Sequence, residues 1–175
     1  VVRERDQAVD AWLDSTLPAA DSIAASVREF LQRLLDERRD GRIKMFATLL
    51  ALRARRRLPR LFTTGEYLPL EVTGQFADHV VAFARRESGQ QLVVVVPRLT
   101  VGVVGFAGPP PLGDSWSDTA VVLPESHAFA ASYDLFSRRA VLTSIAPATN
   151  VRHILVADAL RDFPVAALLS SAPSE

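Results

Sequence analysis

Two carboxylates and a tryptophan stand close together in the segment Gly113–Asp118, where Asp114 and Asp118 flank Trp116. Paired carboxylates that converge on one cleft can transfer glycosyl groups, and an exposed aromatic ring can stack on a sugar. A polar turn that carries one half-buried tryptophan accounts for the same residues more simply, and we favour that interpretation. Trp116 and Tyr67 are the candidate sugar contacts, and we assign no catalytic residue.

The three histidines do not form a metal-binding pattern. His79, His127 and His153 are widely separated, none has a second histidine four positions away, and the chain has no cysteine. Zinc sites need several such ligands at close spacing. We therefore expect no metal site and interpret the histidines as surface residues of strands and loops. His79, beside Asp78, is best explained by a turn.

Phosphate and nucleic-acid binding also lack a sequence pattern here. The chain has no phosphate-binding loop, no dinucleotide fingerprint and no Gly-x-Ser-x-Gly nucleophile elbow, so no cofactor is expected. The arginines of segment 53–57 fit the end of a helix, where they face the negative end of its dipole. With 20 basic and 20 acidic residues the net charge is zero, which argues against nucleic acid and anionic membranes as partners.

Composition indicates a globular chain that can build a core. Of its 175 residues 49% are apolar, and the absence of cysteine excludes a disulfide framework. No stretch approaches the roughly 20 apolar residues that cross a bilayer, and the N-terminal residues lack the apolar centre of a signal peptide. We expect a cytoplasmic protein.

The first part of the chain, residues 1–60, predicts helices. One helix should start at Asp21 or Ser22 and end before Gly41, with an apolar stripe at helical period. The stripe consists of Ile23, Val27, Phe30, Leu31, Leu34 and Leu35. A second helix should cover residues 43–57 and stop at Leu58-Pro59, and a weaker pattern suggests a short helix near Asp6–Leu13.

The remainder, residues 61–175, predicts short strands, and the fold class is α+β, with helices followed by an antiparallel β-sandwich. Ser88-Gly89 should form the turn of a hairpin between His79–Arg86 and Gln91–Arg98. Val156–Leu160 reads as a helical turn and Gly108–Gly113 as a loop. The other expected strands are Tyr67–Val72, Val101–Val104, Thr119–Leu123, Arg139–Leu142 and Pro164–Leu169.

Several short segments, in their order along the chain, resemble the maltooligosyltrehalose synthases, which belong to the α-amylase-like glycoside hydrolases. Asp40–Met45 (Asp-Gly-Arg-Ile-Lys-Met) with Leu49–Arg53 resembles the final helix of the catalytic barrel in that family. The resemblance covers roughly residues 40–170. Its further segments are Pro59–Phe62, Gly65–Leu70, His79–Arg85, Val93–Leu99, Trp116–Thr119, Leu123-Pro124 and Asp162–Leu169.

This resemblance implies an enzyme that converts the reducing-end α-1,4 bond of a maltooligosaccharide into an α,α-1,1 bond, as a step in trehalose synthesis. It also implies that residues 1–60 are the terminal helices of a (β/α)8 barrel and that residues 61–175 form a C-terminal β domain. The family's catalytic carboxylates lie on barrel loops, and a barrel needs roughly 250 residues. This chain should therefore be inactive alone, with the catalytic barrel of a parent enzyme as its partner and maltooligosaccharide bound through that parent.

Two alternatives remain at this stage. The chain could be a free-standing carbohydrate-binding module that uses Trp116 or Tyr67, although two Trp and two Tyr are few for such a module. It could also be a subunit that completes a barrel supplied by another chain. That alternative predicts an exposed apolar patch on the faces of 23–35 and 43–52. Exposed helix faces of this kind could also support a homo-oligomer.

Overall fold

The computed structural model of the chain describes residues 23–125, 131–146 and 150–170. It begins with three helices, α1 (Ile23–Asp36), α2 (Arg42–Arg57) and α3 (Pro59–Thr63). Antiparallel strands follow, so the fold is α+β. The expected caps Asp21 and Ser22 and the expected helix near Asp6–Leu13 lie outside the described residues.

The two long helices form where the apolar stripes predict them. In α1, every stripe residue from Val27 to Leu35 is buried. A short 3-10 turn, Arg38–Asp40, leads to Gly41, whose φ of 84° reverses the chain at no steric cost. The Asp40 carboxylate then accepts the Arg42 N–H at 2.8 Å at the start of α2. Pro59, the first residue of α3, cannot donate to a continuing helix, and α2 ends.

The larger sheet has six antiparallel strands in the order β1-β3-β4-β10-β6-β7. Two neighbouring inner strands, β3 and β4, form the predicted hairpin, which pairs from Val80↔Pro97 to Glu87↔Gln90. Ser88 and Gly89 both have positive φ, 49° and 83°, as a two-residue hairpin turn requires. The strands are β1 (Glu66–Leu70), β3 (Val80–Glu87), β4 (Gln90–Pro97), β6 (Ala131–Asp134), β7 (Ala140–Leu142) and β10 (Ala166–Leu169).

The smaller sheet has four antiparallel strands in the order β2-β5-β9-β8. They are β2 (Val72–Thr73), β5 (Ala120–Leu123), β8 (Ser144–Ile145) and β9 (Arg152–Leu155). The sequence patterns identified β5 and part of β2 but not β8 or β9. Val101–Val104, expected as a strand, is a single helical turn, α4, and Val156–Ala159 forms the predicted helical turn, α5.

The six-stranded sheet is covered on both faces. On one face, Val93, Val95 and Leu168 share a buried cluster with Val121 and Ile154 of the smaller sheet. On the other face, alternate residues of the same strands pack against the helices, in a second cluster that includes Leu92, Leu169, Phe30, Phe46 and Leu61. The fold therefore has three layers, with the six-stranded sheet between the helices on one side and the four-stranded sheet on the other.

Candidate functional site

Trp116 lies at the end of a 3-10 turn, Gly113–Trp116, and its side chain is wholly buried. Its indole Nε1 donates a hydrogen bond to the carbonyl of Pro111 at 3.1 Å, and its ring meets that of Phe76 edge to face. A ring with no accessible surface has no face to offer a sugar. The turn thus carries a core tryptophan, more deeply buried than the sequence suggested, and the predicted sugar contact depends on Tyr67 alone.

The two carboxylates beside Trp116 lie in different surroundings. Asp118 accepts the backbone N–H of Gln75 at 2.9 Å, and the neighbouring Thr119 hydroxyl accepts that of Phe76 at 3.1 Å. These bonds fix the turn between β2 and the 3-10 turn Ala77–His79. Asp114 is exposed. This arrangement explains the acidic residues as parts of a turn.

Tyr67 lies on β1 at the edge of the large sheet, and 53% of it is exposed. Its ring contacts that of Phe83 on β3, with centroids 5.1 Å apart, and the Arg85 guanidinium lies 5.7 Å from its centroid. Arg85 is held in place by donating to the carbonyls of Leu61 and Phe62. An amphipathic ring supported in this way can contact a ligand such as a sugar.

The histidines occupy separate places. His79 ends a 3-10 turn, as its position beside Asp78 suggested, and its Nδ1 lies 3.0 Å from the carbonyl of Leu99, so Nδ1 carries the proton. His153 lies in β9, opposite Val122 and Ser144, and His127 lies outside the described residues. Among the residues that the structure describes, no three potential ligands cluster as a metal site.

Two carboxylates that the sequence patterns did not single out belong to structural networks: Asp134 is buried and Asp162 is partly buried. Asp134 accepts bonds from the backbone N–H and hydroxyl of Ser137, at 2.8 and 2.6 Å, and from the N–H of Ala167 at 3.0 Å. Burial raises the pKa of Asp134 above its usual range, and these hydrogen bonds oppose the rise. Asp is a common turn residue, because its side chain can accept backbone N–H groups of the residues that follow it.

The second network joins α1 to the strands. Asp162 pairs with Arg139 at 3.1 Å and with Arg28 of α1 at 3.4 Å. Arg139 also donates to the carbonyl of Asp158. Neither Asp134 nor Asp162 lines one of the two clefts described below, so we assign both to the fold.

Two surface clefts are lined by apolar side chains. One is a shallow groove of about 400 Å³ along α2, which we call the α2 groove. Its residues are Gly41, Lys44, Met45, Thr48, Leu49 and Leu52. Met45 and Leu52 are each 52% exposed. The patch expected on both helices is thus confined to α2, since the stripe of α1 is buried.

The second cleft, of about 420 Å³, lies beside the loop after α4. Phe106, 97% exposed, stands on its rim with Pro109–Pro111, and Arg38 lines it as well. Among the residues that the structure describes, no carboxylate lines either cleft. The two clefts therefore lack the acidic pair that glycosyl transfer needs.

The architecture of the chain agrees with part of one solved structure. No protein-family model matches this sequence, and no curated protein matches it significantly. The chain resembles part of a solved enzyme. That structure is a mutant maltooligosyltrehalose synthase from Arthrobacter ramosus, which matches 88% of this chain at 26% identity with a TM-score of 0.51.

This chain spans only 17% of the length of the Arthrobacter enzyme. The match supports a relationship to the C-terminal domain of such an enzyme, which is larger than this chain. The match agrees with the α+β architecture. It does not show that the helices belong to a barrel. In the part of the chain that the structure describes, no helix combines the length and apolar character needed to cross a membrane.

Proposed function

We propose that this chain is a non-catalytic C-terminal region of an enzyme related to the maltooligosyltrehalose synthases, and that it stabilises the catalytic barrel. The observation that carries the proposal is the match of 88% of the chain to 17% of the Arthrobacter enzyme. The reaction would be the conversion of the reducing-end α-1,4 bond of a maltooligosaccharide into an α,α-1,1 bond. A cytoplasmic location stays a prediction.

The proposal divides the chain into residues 1–60, derived from the last helices of a barrel, and residues 61–175, a β domain. Phe46 and Leu61 of the helical part share one buried cluster with Leu92 and Leu169 of the sheet. A shared core of this kind would make the β domain a rigid continuation of the barrel helices. If the catalytic barrel packs on one side of α2, the sheet packed on the other side of this helix would stabilise the barrel.

An activity assay tests the proposal. The 175-residue chain is incubated with maltopentaose, and the loss of reducing ends is followed. We expect no turnover, because no carboxylate of the described residues lines either cleft. Turnover by the isolated chain would overturn the non-catalytic assignment.

The stabilising role is tested on the Arthrobacter enzyme, intact and without the region that this chain matches. We expect the truncated enzyme to lose activity and to melt at a lower temperature. A truncated enzyme with the activity and Tm of the intact one would contradict a stabilising role for this region.

A second candidate function, sugar contact, is favoured by the half-exposed ring of Tyr67 beside Phe83 and Arg85. Titration of the chain with maltopentaose, followed by NMR, should shift the signals of residues around Tyr67. Tyr67→Ala should abolish these shifts, whereas Phe106→Ala, which removes an exposed ring elsewhere, should leave them unchanged. If maltopentaose causes no shifts, or the same shifts in both variants, Tyr67 is not a sugar contact.

A further inference from the structure

Helix α2 has an unusual charge composition. Its 16 residues include six basic side chains and no acidic one. Lys44 and Arg55 are exposed, and neither has an ion pair with another described residue. The carboxylates nearest in sequence, Glu37 and Asp40, are both engaged by Arg42 at the start of the helix. Among the described residues, Lys44 and Arg55 on the exposed side of α2 therefore have no carboxylate paired with them.

The same helix has two apolar faces. The inner face packs on the sheet through Phe46, supported by Ile43, Ala47 and Leu50. The outer face carries the exposed side chains of Met45 and Leu52, with Leu49 between them, at spacings of four and three residues. Leu49 lines the α2 groove and is partly buried against the inner cluster as well. These spacings form one ridge along a helix, and such ridges pack into the grooves of a neighbouring helix.

Charge and apolar residues are arranged together on the outer face. Lys44 and Arg55 are eleven residues apart, which is close to three helical turns, so they lie on one flank of the ridge. A partner that covers Met45 and Leu52 would bring its own flank opposite these two cations. Carboxylates at that position would compensate the charge, whereas basic residues would be repelled.

We propose that the outer face of α2 binds an acidic amphipathic helix from the remainder of the enzyme to which this chain is related. This inference rests on the proposed function, because the partner belongs to the larger protein. A helix fits better than a membrane or a nucleic acid. The ridge is only two turns long, the whole chain has zero net charge, and the α2 groove contains no aromatic residue on which bases could stack.

A designed peptide tests the inference directly. The probe is a fluorescent helical peptide of about 18 residues, long enough to form a helix, with leucines along one face and glutamates elsewhere. Its anisotropy should rise on addition of the chain, and binding should weaken as salt is added. A peptide of the same composition with the leucines distributed around the helix, and one with lysines replacing the glutamates, should bind at least about tenfold more weakly.

Surface variants locate the binding. Leu52→Ser, alone and with Met45→Ser, should weaken binding of the acidic peptide by about tenfold or more, because apolar anchors dominate such contacts. Leu142→Ser is the matched control, since Leu142 is 68% exposed on β7, and it should bind like the unmodified chain. All three variants should keep the circular dichroism spectrum of the unmodified chain.

Several results would overturn the inference. Three of them come from the peptide experiment: no binding at about 1 mM chain, equal binding of all three peptides, or an equal loss of binding in Leu52→Ser and Leu142→Ser. Self-association of the chain through Met45 and Leu52, or binding of anionic vesicles or DNA without the peptide, would also overturn it. The maltopentaose assay measures turnover and not binding to the outer face of α2. A peptide that does not bind therefore contradicts this inference without contradicting the proposed function.

Discussion

The ring of Phe46 on α2 meets the ring of Phe163, just before β10, edge to face, with centroids 5.5 Å apart. Phe46 also contacts Phe30 of α1 at 5.4 Å, and Phe163 stacks on Phe136, between β6 and β7, at 5.5 Å. Four rings thus run without interruption from the first helix to the sheet. Edge-to-face pairs of this kind add about 0.5–1.5 kcal/mol beyond the area that they bury.

Because Phe46 joins the helices to the sheet, its replacement by Asp should unfold the chain. The change removes a buried ring and places an unpaired carboxylate among apolar side chains, at a cost of several kcal/mol. Thermal unfolding followed by circular dichroism measures the effect. Met45→Asp is the matched control. Met45 precedes Phe46 in the helix and its side chain is half exposed, so we expect the free energy of unfolding to change by no more than about 0.5 kcal/mol. An unchanged Tm for Phe46→Asp would contradict the packing of α2 on the sheet.

The hydrogen bond from Trp116 to Pro111 should contribute measurably to stability. Trp116→Phe keeps an aromatic ring but removes the donor, which leaves the buried Pro111 carbonyl without its partner. We expect a loss of about 1–3 kcal/mol in the free energy of unfolding, measured by urea titration with circular dichroism. Tyr67→Phe removes a hydroxyl from a half-exposed ring and should cost much less. If both variants lose the same free energy of unfolding, the hydrogen bond from the Trp116 indole does not contribute significantly to stability.

The sequence predicted those elements whose local pattern and tertiary environment agree. The stripe from Val27 to Leu35 and the turn at Ser88-Gly89 each specify their own geometry, and the structure has them in place. Val101–Val104 was misassigned because a run of four apolar residues fits a strand or a helical turn equally well. The strand Arg152–Leu155 was missed because a basic residue and a histidine interrupt its pattern.

The candidate site was less predictable than the fold. Trp116 is surrounded in sequence by Asp114, Ser115, Ser117 and Asp118, so its neighbours suggested a surface position. Its burial arises from contacts with residues distant in sequence, such as Phe76. The last strand, β10, lies inside the large sheet between β4 and β6, and only pairing with those strands determines this position.

Gly74 should tolerate substitution less well than Gly89, although both have a positive φ. A Cβ on Gly74 would lie 2.7 Å from the Asp118 carbonyl oxygen and from the Thr119 Cα, whereas a Cβ on Gly89 would meet nothing. Gly89→Ala should cost about 1–2 kcal/mol for its backbone conformation. Gly74→Ala should cost more, since backbone atoms must also move. Urea unfolding of both variants measures the difference. If they lose the same free energy of unfolding, the backbone at Gly74 is not closely packed against residues 118–119.

Asp134 should make stability depend on pH. Burial raises its pKa in the folded chain, whereas in the unfolded chain it titrates near 3.9. The contribution of this group is therefore fully present below the unfolded pKa and is lost as pH rises through the folded pKa. Relative to Asp134→Asn, which does not titrate, the wild-type chain should gain stability as pH falls from 7 towards about 4.

Ser137→Ala is the companion variant, because its hydroxyl bond to Asp134 lowers the pKa that burial raises. Removing the hydroxyl should raise the pKa of Asp134 further and shift the pH-dependent loss of stability to higher pH. Urea unfolding of the three proteins between pH 4 and 7 provides the comparison. A difference between wild type and Asp134→Asn that does not vary with pH, or that grows as pH rises, would contradict a raised pKa at Asp134.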